Sequence, residues 1–305
     1  GSVAKPFTVA AGLESGKFTP TTLIDTTSGV MKVGRYTVRD IHNYGVVDLT
    51  RLLVKSSNVG AARIAAQLDD DHLYDVFHRF GFGESTGSGF PGEVSGVLPA
   101  AEGWSDIEKA TLSFGYGLSV TPLQLAQAYA ALGNGGRLVP ATFIAGQGEA
   151  GHAVLDPEIA RTLLTMLESV TLAGGTATRA AVPNFRVAGK TGTSHKNSRG
   201  GYHLKRYISV FAGLVPASKP RLVSVVIIND PAGSVHYGGL VAAPVFGKIM
   251  PDALRLLNVP PDNLQLVSTT PSLSTMVAAA MPPALASLPA GIDARDDASA
   301  EGMPP

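Results

Sequence analysis

Val187-Ala188-Gly189-Lys190-Thr191-Gly192-Thr193-Ser194 changes from apolar to polar halfway along its length, and the rest of the chain is interpreted around it. The apolar half predicts a strand that leaves a core, and the polar half predicts that this strand reaches a cleft. Lys190, Thr191 and Thr193 supply one cation and two hydroxyls, which suit a carboxylate ligand. Gly192 has no side chain, so another group can approach its backbone closely. Lys-Thr-Gly is a weak signal alone, and upstream motifs decide its meaning.

A Ser-x-x-Lys pair, Ser2 and Lys5, stands at the start of a predicted helix that contains Pro6 in its first turn. Residues three apart lie on one helical face, so the Lys5 amine can take the Ser2 hydroxyl proton if burial lowers its pKa. The alternative is an N-terminal capping serine beside a solvated lysine. The pair alone does not separate the two interpretations.

Ser56-Ser57-Asn58 interrupts two helical stretches, 47–56 and 59–68. A turn of this composition between two helices can project hydroxyl and amide groups into a cleft. The alternative is that Ser57 and Asn58 only cap the second helix. With this turn, the chain carries Ser-x-x-Lys, Ser-x-Asn and Lys-Thr-Gly in that order.

The composition excludes several classes of protein. Lys+Arg and Asp+Glu are both 24, so no excess charge points to nucleic acid. The chain has no cysteine, which removes disulfide, thiolate-zinc and cysteine-nucleophile hypotheses. The 7 histidines are scattered without ligand spacing, so neither a metal nor an organic cofactor is predicted. The longest apolar run, 222–228, is too short to span a bilayer, and no signal peptide is recognisable.

Helical periodicity dominates the first part of the chain and strand periodicity the last third, which predicts an α+β fold. Thr121-Pro122 and Asp156-Pro157 each pair a capping residue with a proline suited to a first turn, and they predict two helix starts. The β-rich segments 207–215 and 222–229 predict an antiparallel hairpin. We therefore predict an antiparallel sheet with a helical subdomain over residues 1–265, followed by a disordered Ala/Pro/Ser-rich tail over 266–305.

The ordered motif set is the one found in β-lactamases and penicillin-binding proteins. Longer stretches extend the match over roughly residues 1 to 265, at 55–60, 114–117, 121–125, 237–239 and 243–246. The chain thus resembles the penicillin-binding protein transpeptidases, and closely the FtsI family of class B enzymes, called penicillin-binding protein 3 in several Gram-negative bacteria. The resemblance implies the penicillin-binding/β-lactamase-like transpeptidase fold, N-terminally truncated here because the expected nucleophile is the second residue.

The resemblance also implies roles for individual residues. Ser2 would attack the penultimate D-Ala of a peptidoglycan stem peptide, with Lys5 as base and with backbone N–H groups of Ser2 and Ser194 as oxyanion hole. Ser56 would relay the proton to the leaving amine, beside Lys190. The catalytic residues predicted in this way are Ser2, Lys5, Ser56, Asn58 and Lys190. The predicted substrate-binding residues are Thr191, Gly192, Thr193, Ser194, Tyr207, Tyr237 and Gly238.

Among the predicted substrate-binding residues, Tyr207 and Tyr237 match positions that form an aromatic wall in similar enzymes. The alternative is ordinary packing of a strand and a loop. The partners implied are D-Ala-D-Ala donor peptides, amine acceptor strands, β-lactam antibiotics and divisome proteins. The location implied is the periplasmic face of the bacterial inner membrane, with the anchor outside this chain. Two other functions use the same motifs: a serine β-lactamase, although its class A Glu-x-x-x-Asn is absent from the middle of the chain, and a non-catalytic penicillin sensor or divisome scaffold.

Overall fold

The computed structural model describes residues 1–198 and 201–264, with side chains except those of 197–198 and 201–205. A 3₁₀ turn at Ser2–Ala4 precedes the helices α1 to α9, which are Lys5–Glu14, Leu49–Lys55, Asn58–Ala65, Asp70–Arg79, Asp106–Leu112, Pro122–Gly133, Pro157–Thr171, Gly238–Val241 and Ala243–Leu256. Strands β1 to β9 are Ile24–Asp25, Val30–Val33, Tyr36–Arg39, Val46–Val47, Arg137–Leu138, His152–Ala153, Ala188–Ser198, Gly201–Val215 and Leu222–Asn229. The predicted tail, 266–305, lies outside the described residues.

Helix α1 runs through the centre of the helical part. Phe7, Val9, Ala10 and Ala11 are all 0% exposed, because α3, α4 and α7 pack around the helix. The Phe7 ring lies between 4.8 and 5.7 Å from the centroids of Phe80, Phe82 and Tyr129. A helix that is apolar on all sides belongs in a core. Its N-terminal end, which carries the Ser-x-x-Lys pair, is thereby fixed against the surrounding helices.

Local capping chemistry sets the starts of α6 and α7, as the sequence predicts. Thr121 accepts from Gln124 N, and the Gln124 side chain accepts from Thr121 N in return, which is a capping box. The Asp156 carboxylate accepts from the first N–H groups of α7, and a proline follows each cap. The interpretation of Ser2 as a cap is wrong, because α1 starts three residues later with no side-chain cap.

The largest sheet is antiparallel, in the order β7–β8–β9. The predicted hairpin is present, with Val215 opposite Leu222 across its turn. Strand β8 starts six residues before the predicted start at residue 207, because it continues to pair with the polar end of β7 as far as Ser198. That polar end lacks the apolar alternation on which the prediction relied. Helices α6 and α9 pack on the sheet, and α7 packs on β7.

Between α1 and α2 the chain forms a small β-excursion of four short strands. Strand β1 pairs with β4, and β2 pairs with β3, both antiparallel. Asp40 follows the end of β3, and α2 and α3 are separated only by Ser56 and Ser57. The excursion therefore delivers a carboxylate next to the turn between these two helices.

Candidate active site

The Lys5 amine is the centre of a polar cluster at the buried end of α1. It lies 2.9 Å from Ser2 Oγ, 2.7 Å from Asn58 Oδ1, 2.6 Å from Ser56 O and 3.2 Å from Ser56 Oγ. The Lys5 side chain is 0% exposed. The structure therefore brings the Ser-x-x-Lys pair and the Ser-x-Asn turn together around one nitrogen atom. The alternative of a solvated lysine does not hold.

The geometry of the turn explains why Ser56 and Ser57 point in different directions. Ser56 ends α2 in the left-handed region, with φ 59° and ψ 42°, which is uncommon for a residue other than glycine. Ser57 then caps α3, and its Oγ accepts from Gly60 N at 2.8 Å. Ser57 thus has the structural role of a cap, while the hydroxyl of Ser56 and the amide of Asn58 face Lys5.

Strand β7 closes the cluster from the other side. The Lys190 amine donates to Ser56 Oγ at 2.9 Å and to Thr191 O at 3.1 Å, and its side chain is 0% exposed. A Cβ on Gly192 would lie 3.5 Å from Ser2 N, so β7 passes close to the turn that holds Ser2. Ser56 Oγ therefore lies between two buried amines, and all three motifs converge on it.

The two threonines of β7 face α8 rather than the lysines. Thr193 Oγ1 accepts from Gly238 N at 3.0 Å, which leaves its own proton for a ligand. Thr191 is 7% exposed, and its hydroxyl donates to Thr176 Oγ1 at 2.9 Å. A carboxylate ligand would meet the Thr193 hydroxyl first, and the Thr191 hydroxyl would have to exchange its bond to Thr176.

Gly238 lets α8 approach β7 and β8 closely. A Cβ at this position would lie 2.4 Å from both Gly192 O and Val210 O. Because backbone atoms cannot move away individually, we expect Gly238→Ala to lower the free energy of unfolding by about 1–3 kcal/mol. We also expect the variant to displace the Gly238 N–H from Thr193. Chemical denaturation measures the first effect.

Gly148→Ala is the matched control, since an added carbon there meets nothing within 4 Å. Its unfolding midpoint should equal that of the wild type. An equal midpoint for Gly238→Ala would contradict the close approach described above.

An aromatic stack flanks the polar end of β7. The rings of Tyr207 and His236 are 3.8 Å apart and nearly parallel, and the ring of Tyr237 lies 4.7 Å from that of His236. His195 packs on Tyr207 at 4.8 Å. Tyr237 is 47% exposed. The two tyrosines predicted from the sequence therefore lie in one row of rings with His195 and His236, and the predicted aromatic wall and the alternative of ordinary packing both stay open.

The family model described as penicillin binding protein transpeptidase domain matches residues 1–251 of the chain. The chain belongs to this family. The apo structure of the TP domain from Burkholderia pseudomallei penicillin-binding protein 3 is similar, with a TM-score of 0.81 at 40% identity over 86% of this chain and 80% of that one. The α+β transpeptidase fold predicted from the motifs is confirmed.

Two curated relatives indicate where this transpeptidase domain lies within the family. It is 42% identical to the peptidoglycan D,D-transpeptidase FtsI of Escherichia coli K12, over 87% of this chain and 45% of the relative. It is 43% identical to the probable peptidoglycan D,D-transpeptidase PbpC of Pseudomonas aeruginosa, over 87% of this chain and 47% of the relative. The predicted resemblance to the FtsI family is confirmed. The chain spans about half the length of these relatives.

Burial lowers the pKa of both lysines in this transpeptidase domain. The pKa of Lys190 falls from 10.5 to about 7 because its amine is removed from water. The pKa of Lys5 is held well below 10.5, first by burial and then by repulsion from Lys190, while the Asp40 carboxylate acts in the opposite direction. Because the lowered pKa makes Lys5 lose its proton more readily, its amine can offer the lone pair that a base acting on Ser2 requires.

The lowered pKa of Lys190 predicts a pH-dependent stability. Between about pH 7 and pH 10.5 the unfolded chain keeps the Lys190 proton and the folded chain loses it, so that the free energy of unfolding rises with pH. Lys190→Met lacks this group and should lack this rise. We therefore expect the free energy of unfolding of Lys190→Met to exceed that of the wild type by the largest amount at pH 7. This difference should shrink by a few kcal/mol towards pH 10.

Urea unfolding of both proteins across this pH range measures the effect, and the difference between them removes contributions from distant groups. A difference that stays constant with pH would show that the pKa of Lys190 is not lowered.

Four residues of the site were not predicted from the sequence. Asp40 contacts the Ser56–Asn58 turn, Thr176 receives the Thr191 hydroxyl, and His195 and His236 join the aromatic row. Thr176 directly follows Gly174 and Gly175, and such a glycine pair by itself indicates only the end of a helix. No signal in a single sequence ties Asp40 to a turn 17 residues further on.

The described residues were also compared with the requirements of a metal site and of a membrane-spanning helix. Across residues 1–198 and 201–264, no group of three His, Cys, Asp or Glu side chains is arranged to hold a metal ion. No described helix combines the length and the apolar character that a bilayer crossing requires.

Proposed function

We propose that this chain is the catalytic domain of a serine D,D-transpeptidase that crosslinks peptidoglycan stem peptides during cell division. The observation that carries the proposal is the position of the Lys5 amine, within 2.9 Å of Ser2 Oγ and 2.7 Å of Asn58 Oδ1. This arrangement couples a hydroxyl nucleophile, a buried base and a substrate-binding amide. Relatives named as peptidoglycan D,D-transpeptidases support the reaction class.

The proposed acylation starts with the neutral Lys5 amine. It takes the Ser2 Oγ proton while Ser2 Oγ forms a bond to the carbonyl carbon of the penultimate D-Ala. Backbone N–H groups of Ser2 and Ser194 stabilise the negative oxygen. The carbon–nitrogen bond then breaks, and the terminal D-Ala amine leaves with a proton that Ser56 passes on from Lys5. Ser2 remains as an ester of the donor peptide.

Deacylation uses the same groups in reverse. An amine of a neighbouring strand attacks the ester carbon and loses its proton to Lys5 through Ser56. The crosslinking amide forms as the bond from the ester carbon to Ser2 Oγ breaks, and Lys5 returns the proton to Ser2 Oγ. Lys190 in its protonated form supplies positive potential beside Ser56, and Thr193 with Thr191 binds the terminal carboxylate of the donor. A β-lactam has the same amide and carboxylate groups, so it acylates Ser2 and blocks the site.

The substrate contacts proposed for the remaining residues follow from their places around β7. Gly192 lets the turn that holds Ser2 lie close to the strand that the peptide would contact. Asn58 donates to or accepts from the peptide amide, and Gly238 holds Thr193. The row of rings with Tyr207 and Tyr237 forms a wall for apolar groups of the peptide or drug. Each of these roles can be tested by substituting that residue alone.

The setting of the reaction is part of the proposal. Peptidoglycan lies outside the cytoplasmic membrane, so we place the domain at the periplasmic face of the inner membrane, where divisome proteins would be its partners. The FtsI name of a relative supports this location. We also propose that the domain ends near residue 265 and that the Ala/Pro/Ser-rich segment 266–305 is a tail without catalytic residues.

Intact-mass spectrometry after incubation with benzylpenicillin tests the function, together with D-Ala release from a D-Ala-D-Ala peptide. We expect one stable adduct for each chain, as well as D-Ala release. A transient adduct with drug hydrolysis would instead indicate a β-lactamase. A stable adduct without D-Ala release would indicate a sensor or scaffold, and a folded chain that forms no adduct would contradict the proposal.

A further inference from the structure

Asp40 holds the start of α3 from outside that helix. Its Oδ2 accepts from Ser57 Oγ at 2.6 Å, and its Oδ1 accepts from Asn58 N and, at 3.0 Å, from Val59 N. With Ser57 Oγ accepting from Gly60 N, three N–H groups at the start of the helix have partners. Asp40 belongs to no helix itself; it follows strand β3 of the excursion.

The neighbouring carbonyl fixes the orientation of the Asn58 amide. Asn58 Nδ2 donates to Arg39 O at 3.0 Å, and a carbonyl can only accept. The other end of the amide, Oδ1, therefore faces the Lys5 amine at 2.7 Å. Arg39 and Asp40 thus hold both the backbone and the side chain of Asn58 through consecutive residues.

We infer that Asp40 is a positioning residue for the proposed acylation, which holds the Ser56–Asn58 turn so that Ser56 and Asn58 both meet Lys5. The inference rests on the function proposed above. Ser56 adopts an unfavourable left-handed conformation, and such a conformation persists only where surrounding bonds fix it. The Asp40 carboxylate supplies three of these bonds to the two residues after Ser56 and to Val59.

The charge of Asp40 has a second effect that a purely structural acid would not have. The charged groups that face Lys5 are Lys190 from β7 and Asp40 after β3, and Tyr44 faces Asp40 in turn. Among these, Asp40 is the group that raises the pKa of Lys5. Removing its charge therefore favours the neutral Lys5 amine at lower pH.

Two substitutions separate position from charge. Asp40→Ala removes all three hydrogen bonds and should lower the first-order acylation rate by benzylpenicillin, at saturating drug, about 10- to 100-fold. Asp40→Asn keeps the volume and an acceptor oxygen, so it should recover most of that rate. Both variants should shift the rising limb of the pH–rate profile to lower pH, because both remove the negative charge beside Lys5.

Asp48→Ala is the matched control. Asp48 caps the neighbouring helix α2 by accepting from Arg51 N at 2.6 Å, but it does not touch the turn. Removing such a cap lowers stability without changing the contacts of the Ser56–Asn58 turn. The acylation rate and the pH–rate profile of Asp48→Ala should equal those of the wild type. The inference is overturned if Asp40→Ala acylates at the wild-type rate, or if Asp48→Ala loses as much rate.

A second measurement does not depend on the proposed function. In a crystal structure of Asp40→Ala, the distance between Lys5 Nζ and Asn58 Oδ1 should exceed the 2.7 Å of the wild type. An unchanged distance would overturn the inference even if no form of the chain reacted with the drug. A wild-type chain that does not react would contradict the function alone.

Discussion

Replacing Ser2 by alanine is expected to abolish the covalent β-lactam adduct while leaving the chain folded. The Ser2 hydroxyl makes one described hydrogen bond, to the Lys5 amine, so its removal should cost only about 0.5–1.5 kcal/mol of stability. The neighbouring hydroxyl of Ser56 is not expected to replace it, because Ser56 Oγ is held between Lys5 and Lys190. Intact-mass spectrometry with benzylpenicillin and a thermal scan measure the two effects.

Ser15→Ala is the control, since Ser15 lies at the opposite end of α1 and its hydroxyl donates only to Gly12 O. Its adduct should form as in the wild type. A drug adduct on Ser2→Ala at any other residue would show that Ser2 is not the nucleophile. Loss of the thermal transition in Ser2→Ala would instead show that the hydroxyl is needed for folding.

Replacing Lys5 by methionine is expected to slow acylation about 10²- to 10⁴-fold, the contribution of a positioned general base. Methionine keeps an unbranched chain in this fully buried position but supplies no base. Because Ser2 remains, slow labelling should still occur at long times. The time course of adduct formation measures the rate.

Lys55→Met is the matched control for this change. Lys55 precedes Ser56 directly, yet its amine donates to Gly174 O at 2.9 Å and is absent from the described cluster around Ser2. The Lys55→Met variant should be acylated at the wild-type rate. If Lys5→Met labelled as fast as Lys55→Met, another group would have to activate Ser2.

The parts of the site that follow local rules were predictable from the sequence. Ser2 and Lys5 share a helical face by spacing alone, and the apolar-to-polar change at Lys190 predicts a strand that enters a cleft. That Ser2 and Lys5 lie near Lys190 required the ordered motif set and its resemblance to known enzymes. The helix starts at Thr121 and Asp156 were predictable because their capping chemistry lies within four residues.

The rest depends on contacts between distant segments. Asp40 holds a turn 17 residues away, and Thr176 receives the hydroxyl of a threonine 15 residues away, so neither role leaves a periodic trace. The left-handed conformation of Ser56 arises because α3 follows α2 almost directly. Helix boundaries predicted from the sequence are accurate only to within a few residues, so they do not predict this conformation. The early start of β8 depends on partners in β7 whose sequence is polar.

The burial of Lys5 inside the core makes the proposed reactivity of Ser2 a property of the assembled molecule. Ser2, Asn58 and Lys190 come together only when α1, α3 and β7 have packed, and an unfolded chain offers β-lactams an ordinary hydroxyl. A fluorescent penicillin added at intervals during refolding would therefore count native molecules directly. The same labelling would serve as a titrant of correctly folded material in any preparation, independently of total protein.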